Sequence, residues 1–273
     1  MGIFGRNYNK PGPGVPKDTP RKKGAARFIE LLFRDLGDLA KLNILFSICA
    51  LPTITVFFAG SFGYIDFVLA FMLAVLLSFP IGGAMVSYVY YITKMMRDDP
   101  SYVWFEFKRK FLENYRQAAF VGMMCTAFIY AQIWLWANML GSLILGEPGG
   151  DLLWFIIALL SVLIFGMITP YIFLHFAYVD LGSFRAVKNS VLMSFGYLPR
   201  SFMGAFLGGI LWIVFILFWP MSMLFLPLIA LFVISICILL CMMWVWPPFE
   251  KYFKIEETLL ERMEAKEKEQ EKI

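Results

Sequence analysis

The stretch that decides the fold is FPIGGAMVSYVYYITKMMRDDPSYVWFEFKRKFLENYRQAA, Phe79–Ala119. Its first part, Ile81 to Thr93, carries no ionisable acid or base and closes on Lys94 and Arg97, cations long enough to reach lipid headgroups from a helix end. Asp98-Asp99-Pro100-Ser101 then breaks the helix, because proline cannot continue it and disfavours α geometry in the residue before it. A second helix is expected from Ser101, with Val103, Trp104, Phe107, Phe111, Leu112 and Tyr115 on one side and Lys108, Arg109, Glu113 and Arg116 largely elsewhere. Such an amphipathic helix suits a membrane surface or a partner.

Composition places the rest of the chain in the same setting. Hydrophobic residues make up 60% and mean hydropathy is +0.71, against roughly 45–50% apolar in an ordinary soluble domain. The net charge of +4 comes from short basic segments beside apolar runs, which act as topology signals and do not form a nucleic-acid footprint. Cys49, Cys125, Cys237 and Cys241 all fall inside apolar runs, which points to free buried thiols without a disulfide framework or zinc site.

The spacing predicts an all-α polytopic transmembrane helix bundle of about six spans, with kinked helices and two amphipathic cytoplasmic connector helices. Residues 1–27 read as a flexible basic tail rich in Pro and Gly, with neither a signal-peptide pattern nor a myristoylation start. Phe28 to Leu39 reads as an interfacial amphipathic stretch. Within a membrane domain over 28–249, spans are expected at 42–59, 67–95, 118–143, 152–179, 202–218 and 223–246. Pro52 should kink the first, with Thr53 and Thr55 hydroxyls near the freed carbonyl. Pro80 should kink the second and Pro170 break the fourth. Gly82 and Gly83, and the Gly204/Gly208 pair, allow close helix contact. The second connector, Asp180 to Arg200, repeats the character of the first: Arg185, Lys188 and Arg200 alternate with Leu181, Phe184, Val187, Val191, Leu192 and Phe195. Residues 250–273 form a charged helix or tail. Lys and Arg concentrate in the N-terminal segment and the two connectors, whereas Asp66, Glu147 and Asp151 mark the opposite side, so both termini are expected in the cytoplasm.

Motifs for chemistry are sparse. No Asp, Glu, Lys or Arg lies in 67–93, 118–146, 152–179 or 201–249, where an ion-coupled carrier would carry one. His175 is the single intramembrane base and reads as a hydrogen-bonded packing residue. There is no phosphate loop, HExxH or GxSxG. The reading is therefore a non-enzyme with no catalytic residue, cofactor or metal. The candidate contact residues are Trp104, Phe107, Lys108, Arg109 and Phe111 in the first connector and Arg185, Lys188 and Arg200 in the second. Each serves membrane anchoring at least as well as partner contact.

Three patches carry a resemblance. Leu42-Asn43-Ile44-Leu45-Phe46 followed by Leu51-Pro52-Thr53-Ile54-Thr55 looks like the first-span pattern of the YesL-like family of bacterial membrane proteins, a domain of unknown function. Gly83-Ala84 through Tyr91, Met95 and Arg97, then Phe107, Lys108, Phe111, Asn114 and Gln117, resembles its central connector. Asp180 to Pro199, ending Gly196-Tyr197-Leu198-Pro199-Arg200, is similar to its second. The likeness covers most of Asp38 to Arg200 and departs over 60–79, so it lends no span count. It implies a bacterial cell membrane and a setting beside carbohydrate ABC importers and glycan-degrading enzymes, and it implies no catalytic residue. Besides the lipid bilayer, the partners it implies are ABC importer permease subunits. Three functions fit: an accessory subunit of carbohydrate uptake, a small-solute or oligosaccharide transporter in its own right, and a membrane regulatory scaffold.

Overall fold

A computed structural model describes residues 22–99, 101–145, 152–179, 182–217, 232–255, 257, 258 and 261. The described residues form helices α1 (Gly24–Arg34), α2 (Leu36–Ser61), α3 (Phe67–Leu77), α4 (Phe79–Met96), α5 (Val103–Leu145), α6 (Leu152–Tyr178), α7 (Ser183–Gly196), α8 (Leu198–Leu217) and α9 (Ile234–Phe253). The fold is an all-α bundle. The tail at 1–21, the connector carrying Glu147 and Asp151, the start of the expected last span and most of 256–273 lie outside the described residues.

Four helices are long and apolar enough to cross a bilayer, and α3 with α4 makes a fifth, bent by 48°. The helix α8 occupies 202–217 of the expected span at 202–218 and is not among these five; residue 218 lies outside the described residues. Exposed apolar side chains form a belt: Ile44, Ile48 and Leu51 on α2, Met72 and Leu76 on α3, Phe120 and Met124 on α5, and Leu153 and Leu160 on α6. An apolar surface of that extent is untenable in water and is the normal lipid face of a bundle. The chain is a multi-pass membrane protein.

At the centre lies α4, twelve of whose eighteen residues are buried. It can be enclosed because its backbone meets that of α5 directly. A Cβ on Gly82 would overlap the Ala118 carbonyl, and one on Gly122 would fall 2.8 Å from Gly82 Cα. Gly204 and Gly208 do the same for α8 against α9, where added carbons would lie 3.3 Å from the Cys241 and Cys237 carbonyl oxygens. The polar groups of α4 find partners on other helices, as burial demands. Tyr88 hydrogen-bonds Asn43 on α2 and Ser235 on α9, and Ser235 Oγ donates to Leu39 O at 2.7 Å. Thr93 Oγ1 lies 2.6 Å from the Tyr178 hydroxyl on α6.

Several expectations are corrected. The first connector and the third span are one helix of 43 residues, about 65 Å long, because nothing between Val103 and Leu145 ends a helix: there is no proline, and the only glycines are Gly122 and Gly141. The second connector is divided: α7 stops at Gly196, and Arg200 belongs to the first turn of α8. The kink expected at Pro80 is present: the second span bends by 48° at Ser78, two residues before Pro80, which has no amide for the Leu76 carbonyl and opens α4, and Ser78 Oγ donates to Val75 O at 2.7 Å. The helix α6 runs on through Pro170, whose one lost bond a membrane helix tolerates. Likewise α2 continues through Pro52, with Thr55 Oγ1 donating to Leu51 O at 2.9 Å, and α9 passes Pro247 and Pro248 to end at Phe253.

Gly122→Ala is expected to lower stability by about 1–3 kcal/mol through overpacking at the α4–α5 crossing. Gly209→Ala, where nothing lies within 4 Å of the added carbon, should be neutral. Thermal midpoints of the two variants in detergent, followed by fluorescence-detected size exclusion, check the contrast.

Candidate functional site

Beyond the apolar belt, the helices run on into a charged end. There α1 crosses the C-terminus of α4 and clamps the turn into α5. Arg27 Nη2 donates to Asp98 Oδ2 at 2.6 Å and to Met96 O at 3.1 Å, while Arg34 Nη1 donates to Asp98 Oδ1 at 2.6 Å. Asp98 stands at φ 64°, a left-handed conformation that Asp tolerates better than most residues. The two guanidiniums thus hold that strained turn and at the same time take up a terminal carbonyl of α4. Partial burial of Asp98 works against its charge, but the hydrogen bonds and field of Arg34 and Arg27 outweigh it and hold the carboxyl below the usual range. Arg34 is raised, first by its hydrogen bond to Asp35 and then, against its own desolvation, by Asp98.

Deeper in, Arg97 is 6% exposed. Its Nε donates to Asp99 Oδ2 at 3.0 Å and its Nη1 to the Tyr178 hydroxyl at 3.1 Å, and the guanidinium lies 5.4 Å from the centre of the Trp246 ring. On the α5 side, buried Glu106 receives Lys94 Nζ at 2.7 Å and also pairs with Arg109, which reaches the Tyr90 hydroxyl at 3.1 Å. Between α1, α2 and the α4–α5 turn is a cavity of about 250 Å³ lined by Arg34, Asp35, Asp38, Tyr91, Asp98 and Asp99. Its carboxylates are engaged: Asp38 accepts from Lys41 and Tyr91, both at 2.8 Å, and the others from arginines. Among the described residues no three His, Cys, Asp or Glu side chains converge as a metal would require.

His175 is fully buried, with Nδ1 2.7 Å from the Tyr171 carbonyl. At that distance Nδ1 carries the proton and donates it. The ring packs edge-on to Phe249 and Phe253, with centroids at 5.2 and 5.3 Å, and Ser190 Oγ lies 3.1 Å from Nδ1. It is a hydrogen-bonded packing residue, as its sequence setting implied.

The eight candidate contact residues separate into two groups. Trp104 is 65% exposed, and Lys108, Arg109, Arg185, Lys188 and Arg200 are exposed as well. Phe107 is not a surface residue: it is 5% exposed and stacks on half-buried Phe111, whose ring is 3.2 Å from where a Cβ on Gly83 would stand. These two rings pack α5 onto α4 and are not offered to lipid or partner. Exposed Tyr102 and Phe105, which flank Trp104, lie off the apolar stripe through Val103, Phe107 and Phe111, and it is that stripe which turns inward. The Arg27–Asp98–Arg34 clamp left no local signal, since 64 to 71 residues separate its members. No family model, curated protein or solved structure matches the chain.

Asp98→Asn is expected to cost up to about 1 kcal/mol, the scale of a part-exposed ion pair. Because the folded carboxyl sits below the ordinary carboxylate range, the clamp's contribution is complete above that range and is lost as pH falls through the lower folded value. Thermal midpoints of wild type and variant should differ at pH 6 and converge on acidification; equal midpoints at every pH would show that the clamp carries no stability.

Proposed function

We propose that this protein is a non-catalytic accessory subunit of the bacterial cell membrane that docks a permease subunit of an ABC-type carbohydrate importer through the projecting end of α5. The observation that carries this reading is the continuity of α5. Phe120 and Met124 lie in its share of the apolar belt, exposed Leu112 stands two turns before Phe120, and from Gln117 back to Trp104 the same helix runs on for roughly 20 Å. An aromatic cluster of Tyr102, Trp104 and Phe105, each more than 60% exposed, therefore stands clear of the lipid that would otherwise cover it. Large exposed aromatics beside cations, here Lys108 and Arg109, are the usual anchors of a protein interface. The clamp by α1 and the Lys94–Glu106–Arg109 pairs stiffen the far end of this projection, beside Trp104, so little ordering is needed on docking.

The charged end faces the cytoplasm in this reading, supported by its Lys and Arg content against Asp66 alone at the opposite turn between α2 and α3. The likeness to YesL-like proteins supplies the importer context.

Mild-detergent purification of the tagged protein from its native host, grown on complex glycan, should recover permease subunits in stoichiometric amount. Trp104→Ala with Phe105→Ala should reduce that recovery at least tenfold without changing the thermal midpoint, whereas Phe107→Ala should lower the midpoint. Recovery of the protein alone from wild-type membranes, with sugar flux in reconstituted vesicles, would instead identify a transporter.

A further inference from the structure

The other amphipathic helix has a different situation. Ser183 at the start of α7 donates from Oγ to Gln117 O at 2.9 Å, one turn from Phe120 where the apolar belt begins on α5. At its far end α7 passes through Tyr197 into α8, whose outward row Leu198, Phe202 and Phe206 is 41–48% exposed. Both ends of α7 are thus tied to the edge of the belt, and the helix lies along that edge.

Its faces are sharply divided. Ala186, Ser190, Met193 and Ser194 are buried against the bundle. Phe184, Leu192 and Phe195 are 83%, 63% and 51% exposed, and at helical spacing they continue the lipid-facing row of α8. Arg185 and Lys188 are exposed beside them, and α7 contains no acidic residue. Arg185, Lys188 and Arg200 form no ion pair among the described residues, in contrast to the cations of the α1–α4–α5 clamp. Apolar side chains continuous with a lipid face, beside exposed cations on a helix without acidic residues, complement one environment: the boundary of a bilayer containing anionic lipid.

We propose that α7, together with Arg200, is a binding surface for anionic bilayer lipids. Phe184, Leu192 and Phe195 enter the boundary between headgroups and acyl chains, and Arg185, Lys188 and Arg200 contact lipid phosphates. The surface is separate from the α5 projection, and it does not depend on a docked protein.

Two measurements on the full-length protein test this. In native mass spectrometry from mixed micelles, wild type should retain phosphatidylglycerol in preference to phosphatidylcholine. Each cation removed in the series Arg185→Gln, Lys188→Gln, Arg200→Gln should reduce that preference roughly fivefold. In nanodiscs containing both lipids, a fluorophore at Leu192→Cys, with the four native cysteines replaced by alanine, should be quenched by doxyl lipid and shielded from iodide, whereas one at Phe105→Cys should show the reverse. Lipid retention unchanged in the triple variant would overturn the proposal. So would a Leu192 probe open to iodide in nanodiscs and covered only when another protein is bound. Loss of permease recovery on changing Trp104 and Phe105 bears on the docking surface alone, so the two readings fail independently.

Discussion

The structure depends on the backbone contact between α4 and α5 at Gly82, Ala118 and Gly122. Two helices without side chains at their crossing approach more closely than any leucine-lined pair, and in lipid, where apolar burial gains little between helices, such packing is a main source of cohesion. Close approach here also sets what the rest of the chain must do. It draws α4 inside the bundle, so α2, α5, α6 and α9 have to cover it and satisfy the hydroxyls of Tyr88, Tyr90, Tyr91 and Thr93. Tyr88 reaches α2 and α9, Tyr91 reaches α2, Tyr90 reaches α5 and Thr93 reaches α6, and together they fix the order of helices around the centre.

Enclosing α4 along its whole length has a second consequence. Its C-terminal half and the matching half of α5 stand beyond the apolar belt, where apolar packing gives way to ion pairs. Asp98 holds the turn between them in a left-handed conformation that the chain would not adopt unaided, and the two arginines of α1 offset that cost. Glu106 and Arg97 are nearly enclosed, yet each has its charge met by a counter-ion and hydrogen bonds, the condition under which buried charge is tolerated.

Much of this was legible in the sequence. The apolar runs gave the bundle, and glycine spacing marked both close crossings, because those features act locally. Chain breaks were read less well. A proline weakens a helix by one bond but does not end it where neighbours hold it, so α6 runs through Pro170, whereas Pro80 bends its span at Ser78, two residues before it. Composition also changed sharply at Ala118 without any stop signal, and the helix continued. The site was legible as a set of residue types and not as an arrangement: whether Phe107 or Phe105 faces outward depends on where α4 lies, and that contact is set by glycines more than twenty positions away.

Height relative to the belt gives the two aromatic-basic helices different roles, although their compositions are alike. On α7 the aromatics continue a lipid-facing row, and a bilayer edge satisfies ring and cation together. On α5 the same residue types stand roughly four turns from Phe120, and in the docking role proposed for it Trp104 and Phe105 lie beyond the acyl chains where a protein covers them. Arg109 is held there by Glu106 and Tyr90. A straight, stiff α5 is therefore the condition for a docking role. Were the helix to fold down at Ala118, its aromatics would return to the membrane, and the Gly83 contact with Phe111 and Tyr115 that prevents this would be lost.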